Sequence, residues 1–315
     1  MNIERNETIK TVLITGAFGF LGRYAAKRFK QDGYRVVGIG HGKWHTHEYN
    51  QWGIDEWYES TITFEAIINT NQSFDIIVHC GGSGSVGFSY QNPYEDFQKS
   101  VQSTLSLLEF IRLRNPNCHF IYPSSPAVQG DLGDKEITED DPSNPVSPYG
   151  FHKRAAEELC LSYNKNFNLK ISIIRYFSIF GEGLQKQLLW DACLKIKNSE
   201  NEIMFFGTGE ETRDWIYVED ASSLMIFIAK NEKNKLSIIN CGSGIRTTIK
   251  DTLNQLVEIY NKKVNIQFNH VVKPGDPRYY HADITKALNL GWKPTVTFEE
   301  GLKRYLIFFK QLVND

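Results

Sequence analysis

An apolar run, Thr11 to Ile14, leads without a break into TGAFGFLG (residues 15–22), and an amphipathic stretch follows to residue 31. Strand, glycine turn and helix in that order restrict the fold more than anything else in the chain. Gly16 permits a tight turn, Gly19 lets the backbone approach a pyrophosphate, and Gly22 lets helix pack on strand. The helix N-terminus then faces the anion with its free amides and the positive end of its dipole.

Short β-branched runs recur at residues 11–15, 34–39, 74–79, 119–123, 170–176 and 237–240, separated by helical patterns at 20–31, 93–114, 149–167 and 219–229. This alternation predicts βαβ units and an α/β fold, a Rossmann-type doubly wound parallel sheet with helices on both faces. Beyond residue 180 the alternation loosens into helical patterns at 185–197, 247–260 and 298–312 and a polar turn, GTGEETRD, at 207–214. The expected division is a dinucleotide domain over 1–180, to which 214–245 returns, and a smaller mixed α/β substrate lobe from 181–213 and 246–315.

At 315 residues with 41 % hydrophobic content, the chain has material for one large core or two unequal ones. Its 35 basic against 37 acidic side chains give a net charge of -2, which offers no general attraction to nucleic acid or an anionic membrane. The N-terminal residues lack the apolar stretch of a signal peptide and no 18-residue apolar run occurs, so a cytoplasmic protein is expected. Cys80, Cys118, Cys160, Cys193 and Cys241 are scattered and odd in number, which reads as reduced, buried thiols. His41, His45 and His47 lie in a loop-like stretch with no second ligand group beside them, and no metal is expected.

Tyr149 and Lys153 stand four residues apart in SPYGFHKRAAEEL. On a helix they share one face, and an ammonium beside a phenol lowers its pKa toward the range where proton transfer is efficient. The same spacing also occurs on solvated helix faces, so it gains meaning only in company with the glycine turn.

Taken together, these motifs resemble the extended short-chain dehydrogenase/reductase family, the nucleotide-sugar epimerases, reductases and dehydratases, over nearly the whole chain. TGAFGFLG is similar to that family's cofactor turn, IYPSSPAVQG (121–130) to its serine strand and SPYGFHK to its tyrosine helix. RYFSIFGEG, RDWIYVED, INCGSG and KPGDPRYYHADITKA resemble its substrate-lobe signatures. The resemblance implies that Ser125 hydrogen-bonds the reacting sugar oxygen, Tyr149 transfers the proton, and Lys153 tunes Tyr149 and holds the nicotinamide ribose. It implies cofactor contacts from Gly16, Phe18, Gly19, Phe20, Leu21, Arg23 and Tyr176. Ser85, Ser124 and Ser178 would line the substrate, a nucleoside-diphosphate sugar, and Arg213, Lys273 and Arg278 would grip its diphosphate. A homodimer through 93–114 and 149–167 is the family-level expectation.

Some positions depart from the family pattern. The second strand runs into Gly40, His41, Gly42 and Lys43, with no acid to hydrogen-bond an adenosine ribose, and Arg23 is near in sequence to the turn. His41 and Lys43 therefore favour NADP, while NAD fits if backbone groups bind its ribose. Pro126 and Ala127 follow Ser125 where dehydrating relatives carry acids, which argues against dehydration. Ser178 and Ser100 stand where many relatives have Asn, and Gly81, Gly82 and Gly84 leave room beside the expected nicotinamide pocket or make a flexible loop. The resulting expectation is a reductase of a 4-keto sugar nucleotide; an NAD-dependent 4-epimerase is the alternative, and a non-catalytic dinucleotide sensor a third.

Overall fold

Successive side chains of a strand point to opposite faces of a sheet, and the apolar runs of this chain use both. Val12 and Ile14 pack into one core layer while Leu13 packs into the other, and Ile76 and Val78 are likewise split from Ile77. Strands buried on both faces in this way belong to a parallel sheet covered by helices. In the computed structural model, which describes residues 9–271, 275 and 277–314, that sheet forms the centre of the molecule.

The strands are β1 (Thr11–Thr15), β2 (Arg35–Gly40), β3 (Glu56–Glu59), β4 (Ile76–His79), β5 (His119–Ser124), β6 (Lys170–Tyr176) and β7 (Ser178–Phe180). After these come β8 (Glu202–Phe205), β9 (Thr212–Tyr217), β10 (Leu236–Cys241), β11 (Arg246–Thr248) and β12 (Asn265–Phe268). The large sheet has the order β10-β6-β5-β4-β1-β2-β3 with every neighbouring pair parallel. This is the expected Rossmann-type doubly wound architecture. The strand order reverses between β1 and β4, and the crevice beyond the carboxyl ends of these strands is where such sheets bind ligands.

Three differences from the sequence expectation have physical causes. The edge strand β3, EWYE, is at most partly buried and has only two aromatic residues between two acids, so it carries no apolar run to read. Its Trp57 pairs in register with Gly38, and a Cβ at Gly38 or Gly40 would lie 2.9 or 3.2 Å from the indole. The two glycines of β2 therefore make room for a ring from the next strand. The expected helix over 93–114 is divided into Pro93–Phe97, a wide π-type turn Gln98–Gln102 and Ser103–Arg114, a feature frequent at functional sites. Finally, the expected polar turn at 207–214 already contains the start of β9, which pairs with β7 and β11.

Beyond the large sheet, Phe180, Leu189, Trp215, Leu253, Leu302, Tyr305 and Phe309 close a separate core among the helices Gln187–Asn198, Ile249–Tyr260 and Phe298–Val313. Among the described residues no helix is long and apolar enough to cross a membrane. All five cysteines are free thiols, four of them buried and Cys80 partly so.

Candidate active site

The turn after β1 is shaped for close backbone approach. Gly16 has φ +65°, and a Cβ there would lie 2.7 Å from the carbonyl oxygen of Cys80; a Cβ on Gly22 would lie 2.3 Å from Gly16 O. The following helix, Phe20–Gln31, begins at Gly19 with no side-chain cap and no acid in its first turn. Its free amides suit an anionic diphosphate.

A buried network fixes this turn to its neighbours. Ser103 Oγ donates to Lys99 O at 2.6 Å, so it accepts from His79 Nε2 at 3.0 Å, and Thr15 Oγ1 in turn donates to His79 Nδ1 at 2.6 Å. Gly81 N donates to Thr15 Oγ1 at 3.2 Å. Burial pushes His79 down to about 3, which keeps the imidazole neutral and the network in one tautomer.

At the adenosine end expected from the fold, Arg23 does not project freely. Its Nη2 donates to Phe18 O at 2.6 Å, and the guanidinium lies 5.0 Å from the ring of Trp52 and 5.4 Å from those of Phe18 and Trp44. Phe18 meets Trp44 edge-on at 4.7 Å and Phe20 meets Tyr24 at 5.8 Å, while Leu21 packs against the core. His41 and Lys43 are exposed just past β2. A Cβ on Gly40 would stand 3.6 Å from Gly16 Cα, so any acid at this position would reach the turn itself.

Ser125, Tyr149 and Lys153 meet beyond the end of β5. Ser125 caps the short turn Pro126–Val128, its Oγ accepting from Ala127 N at 3.2 Å. Tyr149 lies in the first turn of the helix Pro148–Phe167, capped by Ser147, and its amide donates to Ser89 Oγ at 3.0 Å. Lys153 is buried; its Nζ donates to Pro123 O at 2.8 Å and lies 5.9 Å from the centre of the Tyr149 ring. Ser124 beside them is buried with its hydroxyl unpartnered among the described residues.

The electrostatics differ from the sequence expectation. Burial pushes the Tyr149 phenol up to about 12, opposed by a hydrogen bond with the Ser125 hydroxyl and reinforced by the Asp96 carboxylate. The Lys153 ammonium donates to the Pro123 carbonyl and not to the phenol. Burial also pushes Lys153 down to about 8, against the opposing charges of Asp96 and Glu157. Glu157 is held by Arg175 of β6 through hydrogen bonds of 3.1 and 2.8 Å. Asp96 is fully buried and hydrogen-bonds His152 Nδ1. Neither Asp96 nor His152 had a signal in the sequence, since 56 positions separate them.

Tyr176 turns its side chain away from the site. Its side chain is buried in the core and its hydroxyl donates to Ala221 O at 3.0 Å, so only its backbone remains available to a cofactor. Ser85 caps the helix Val86–Gln91, its Oγ accepting from Phe88 N at 3.3 Å. Ser178 opens β7 and is partly buried. Arg213 on β9 donates through Nη1 to Thr212 O and Pro277 O, at 2.8 and 3.0 Å. The neighbouring Asp214 is occupied elsewhere, accepting from Ser243, Gly244 and Ala282. Arg278 is exposed, with its guanidinium 5.2 Å from the Tyr279 ring. Lys273 lies outside the described residues.

Known proteins match this chain along nearly all of its length. A putative UDP-glucose 4-epimerase of Methanocaldococcus jannaschii is 28 % identical over 312 residues, 95 % of this chain and 98 % of that one. A UDP-glucuronate 4-epimerase of Thermodesulfobacterium geofontis is 28 % identical over 326 residues, covering 96 % and 97 %. Among solved structures, the UDP-glucuronic acid 4-epimerase of Bacillus cereus in complex with UDP-glucuronic acid and NAD superimposes with a TM-score of 0.86. It is 27 % identical, and the match covers 96 % of this chain and 99 % of that one. The sequence pattern of one family matches residues 12–242, and the chain accordingly belongs to the NAD dependent epimerase/dehydratase family.

Proposed function

We propose that this protein is an NAD-dependent 4-epimerase of a nucleoside-diphosphate sugar, with a UDP-sugar as the first candidate. The observation that carries the reading is the meeting of Ser125, Tyr149 and Lys153 beside the glycine turn, with Pro126 and Ala127 buried where dehydration would need acids. Full-length similarity to the UDP-glucuronate 4-epimerases of Thermodesulfobacterium geofontis and Bacillus cereus supports it over the reductase expected from sequence.

The amides at the N-terminus of the helix Phe20–Gln31 would hold the cofactor's diphosphate, Lys153 its nicotinamide ribose, and the loop with His41 and Lys43 its adenosine ribose. Bound nicotinamide supplies a reversible hydride acceptor. Tyr149 moves the proton of the sugar's 4-hydroxyl at its phenol oxygen, and Ser125 orients that hydroxyl. Ser85, Ser124 and Ser178 would face the sugar, and Arg213, Arg278 and Lys273 would neutralise the substrate diphosphate, a role suited to guanidinium forks. In this reading 181–213 and 246–315 form the substrate lobe and 1–180 with 214–245 the dinucleotide domain.

One observation favours a second reading. No acid stands at the end of β2, where exposed His41 and Lys43 follow Gly40, which suits NADPH and a 4-keto sugar reductase. A single preparation separates the two. The protein is incubated with UDP-glucose, UDP-galactose and UDP-glucuronic acid, and separately with NADPH and 4-keto-6-deoxy sugar nucleotides. C4 inversion without net change in nicotinamide absorbance is expected. Stoichiometric NADPH oxidation without inversion would overturn the epimerase reading.

A further inference from the structure

The first turn of an α-helix leaves its leading amides without partners inside the helix. In the helix Pro148–Phe167, Pro148 has no N–H to place, while Gly150 N donates to Ser147 Oγ at 3.2 Å and Phe151 N to Ser147 O at 3.0 Å. The cap Ser147 thus serves the amides on either side of the helix start except that of Tyr149. The Tyr149 amide donates instead to Ser89 Oγ at 3.0 Å, across 60 positions of the chain.

Ser89 is 0 % exposed on the helix Val86–Gln91, and its hydroxyl proton goes to Val86 O at 2.7 Å. The hydroxyl is left with lone pairs only, so toward Tyr149 it can act only as an acceptor. A side chain that donates within its own helix and accepts from a second helix ties the two together at one atom. The next residue adds to the tie, since Tyr90 Oη donates to Val146 O at 3.2 Å, just ahead of the Ser147 cap. The same helical turn also rests on the turn that Ser125 caps: a Cβ on Gly150 would lie 2.4 Å from Ala127 O.

We propose that Ser89 is a positioning residue for Tyr149: its hydroxyl, anchored to Val86 O, fixes the backbone of the residue whose phenol faces Ser125. The inference rests on the reading of Tyr149 as the proton-transfer residue.

This role differs in its consequences from that of a plain cap. Loss of a helix cap costs stability, whereas loss of a tether on the Tyr149 backbone also moves the phenol. A displacement of about 1 Å in a reacting group can cost on the order of 100-fold in rate. Ser147 and the contact of Gly150 with Ala127 stay in place without Ser89, so part of the alignment persists and a loss of roughly 10-fold is expected. Ser89 spends its hydroxyl on Val86 O and the Tyr149 amide, so affinity for substrate and dinucleotide is expected to hold.

The test is Ser89→Ala in the full-length protein. Hydrogen exchange at the Tyr149 amide, followed by NMR, is expected to quicken by about 10-fold relative to the amides of the helix Ser103–Arg114, which report overall stability. Turnover of the sugar nucleotide is expected to fall by roughly 10-fold, with KM and the dinucleotide Kd within about twofold of wild type. Added to Tyr149→Phe, Ser89→Ala is expected to change the residual rate by less than about twofold, because no phenol is left to position. Ser89→Cys keeps a weaker acceptor in the same place; it is expected to lie between wild type and Ser89→Ala and serves if the latter does not fold. Unchanged exchange at Tyr149, unchanged turnover in a folded variant, or an equal loss in the Tyr149→Phe background would overturn the proposal. If the wild type turns over no sugar nucleotide, the proposed function fails while amide exchange still reads the bond.

Discussion

The phenol of Tyr149 is held by opposing neighbours: burial and Asp96 push its pKa up, and the Ser125 hydroxyl pulls it down. Replacing Tyr149 with Phe removes only the hydroxyl from a partly buried ring, so folding and dinucleotide binding should persist. Turnover should fall by about 100-fold or more, the scale of a lost general acid or base. Steady-state kinetics beside a melting curve checks this, and near-normal turnover would remove Tyr149 from its role. The nearness of Tyr149 and Lys153 was legible because a helical i,i+4 spacing is a local pattern, whereas Ser125 was singled out by the family resemblance. What was not legible is the direction of the phenol's shift. Spacing gives proximity along a helix, whereas the orientation of the ammonium toward Pro123 O and the depth of burial depend on β5 and on Asp96. The direction of the Tyr176 ring was illegible for a related reason, since sequence places it at a strand end but does not tell which face its ring takes.

At the scale of elements, the contact between β1 and the helix Phe20–Gln31 is set by Gly22, where an added Cβ would lie 2.3 Å from Gly16 O and 2.9 Å from Ala17 Cα. Both are backbone atoms, so the helix itself must shift. Gly22→Ala is expected to destabilise the protein by about 1–3 kcal/mol, as overpacking does, and to weaken NAD binding as the helix N-terminus moves away from the turn. Calorimetric melting and a binding titration together check this; an unchanged melting temperature would mean that the contact yields without cost. Strands β1 and β6 stand at the residues that the apolar runs indicated, because strands buried on both faces leave a dense signal. The small strands β7, β8, β11 and β12 lack that signal, being three or four residues long and mixed in polarity.

At the scale of the whole molecule, large apolar side chains are exposed along the two helical runs beside Tyr149 and Lys153. Tyr94 is 74 % exposed, Phe97 42 %, Phe151 56 % and Phe167 46 %. Apolar surface of this kind is stabilised by about 25 cal/mol per Å² when covered, and we propose that a second copy covers it in a homodimer. Light scattering should give twice the mass of one chain, with Phe151→Asp shifting the protein toward monomer; a wild-type monomer at micromolar concentration would refute the dimer. The packing around β2 has a separate consequence. Trp44, Trp52 and Trp57, half of the six tryptophans in the chain, cluster about Arg23 and the glycines of β2, with Trp44 and Trp57 5.9 Å apart. Loading of the adjoining turn should therefore report itself optically: the intrinsic ultraviolet emission of these indoles is expected to follow dinucleotide occupancy, and no dye has to be attached.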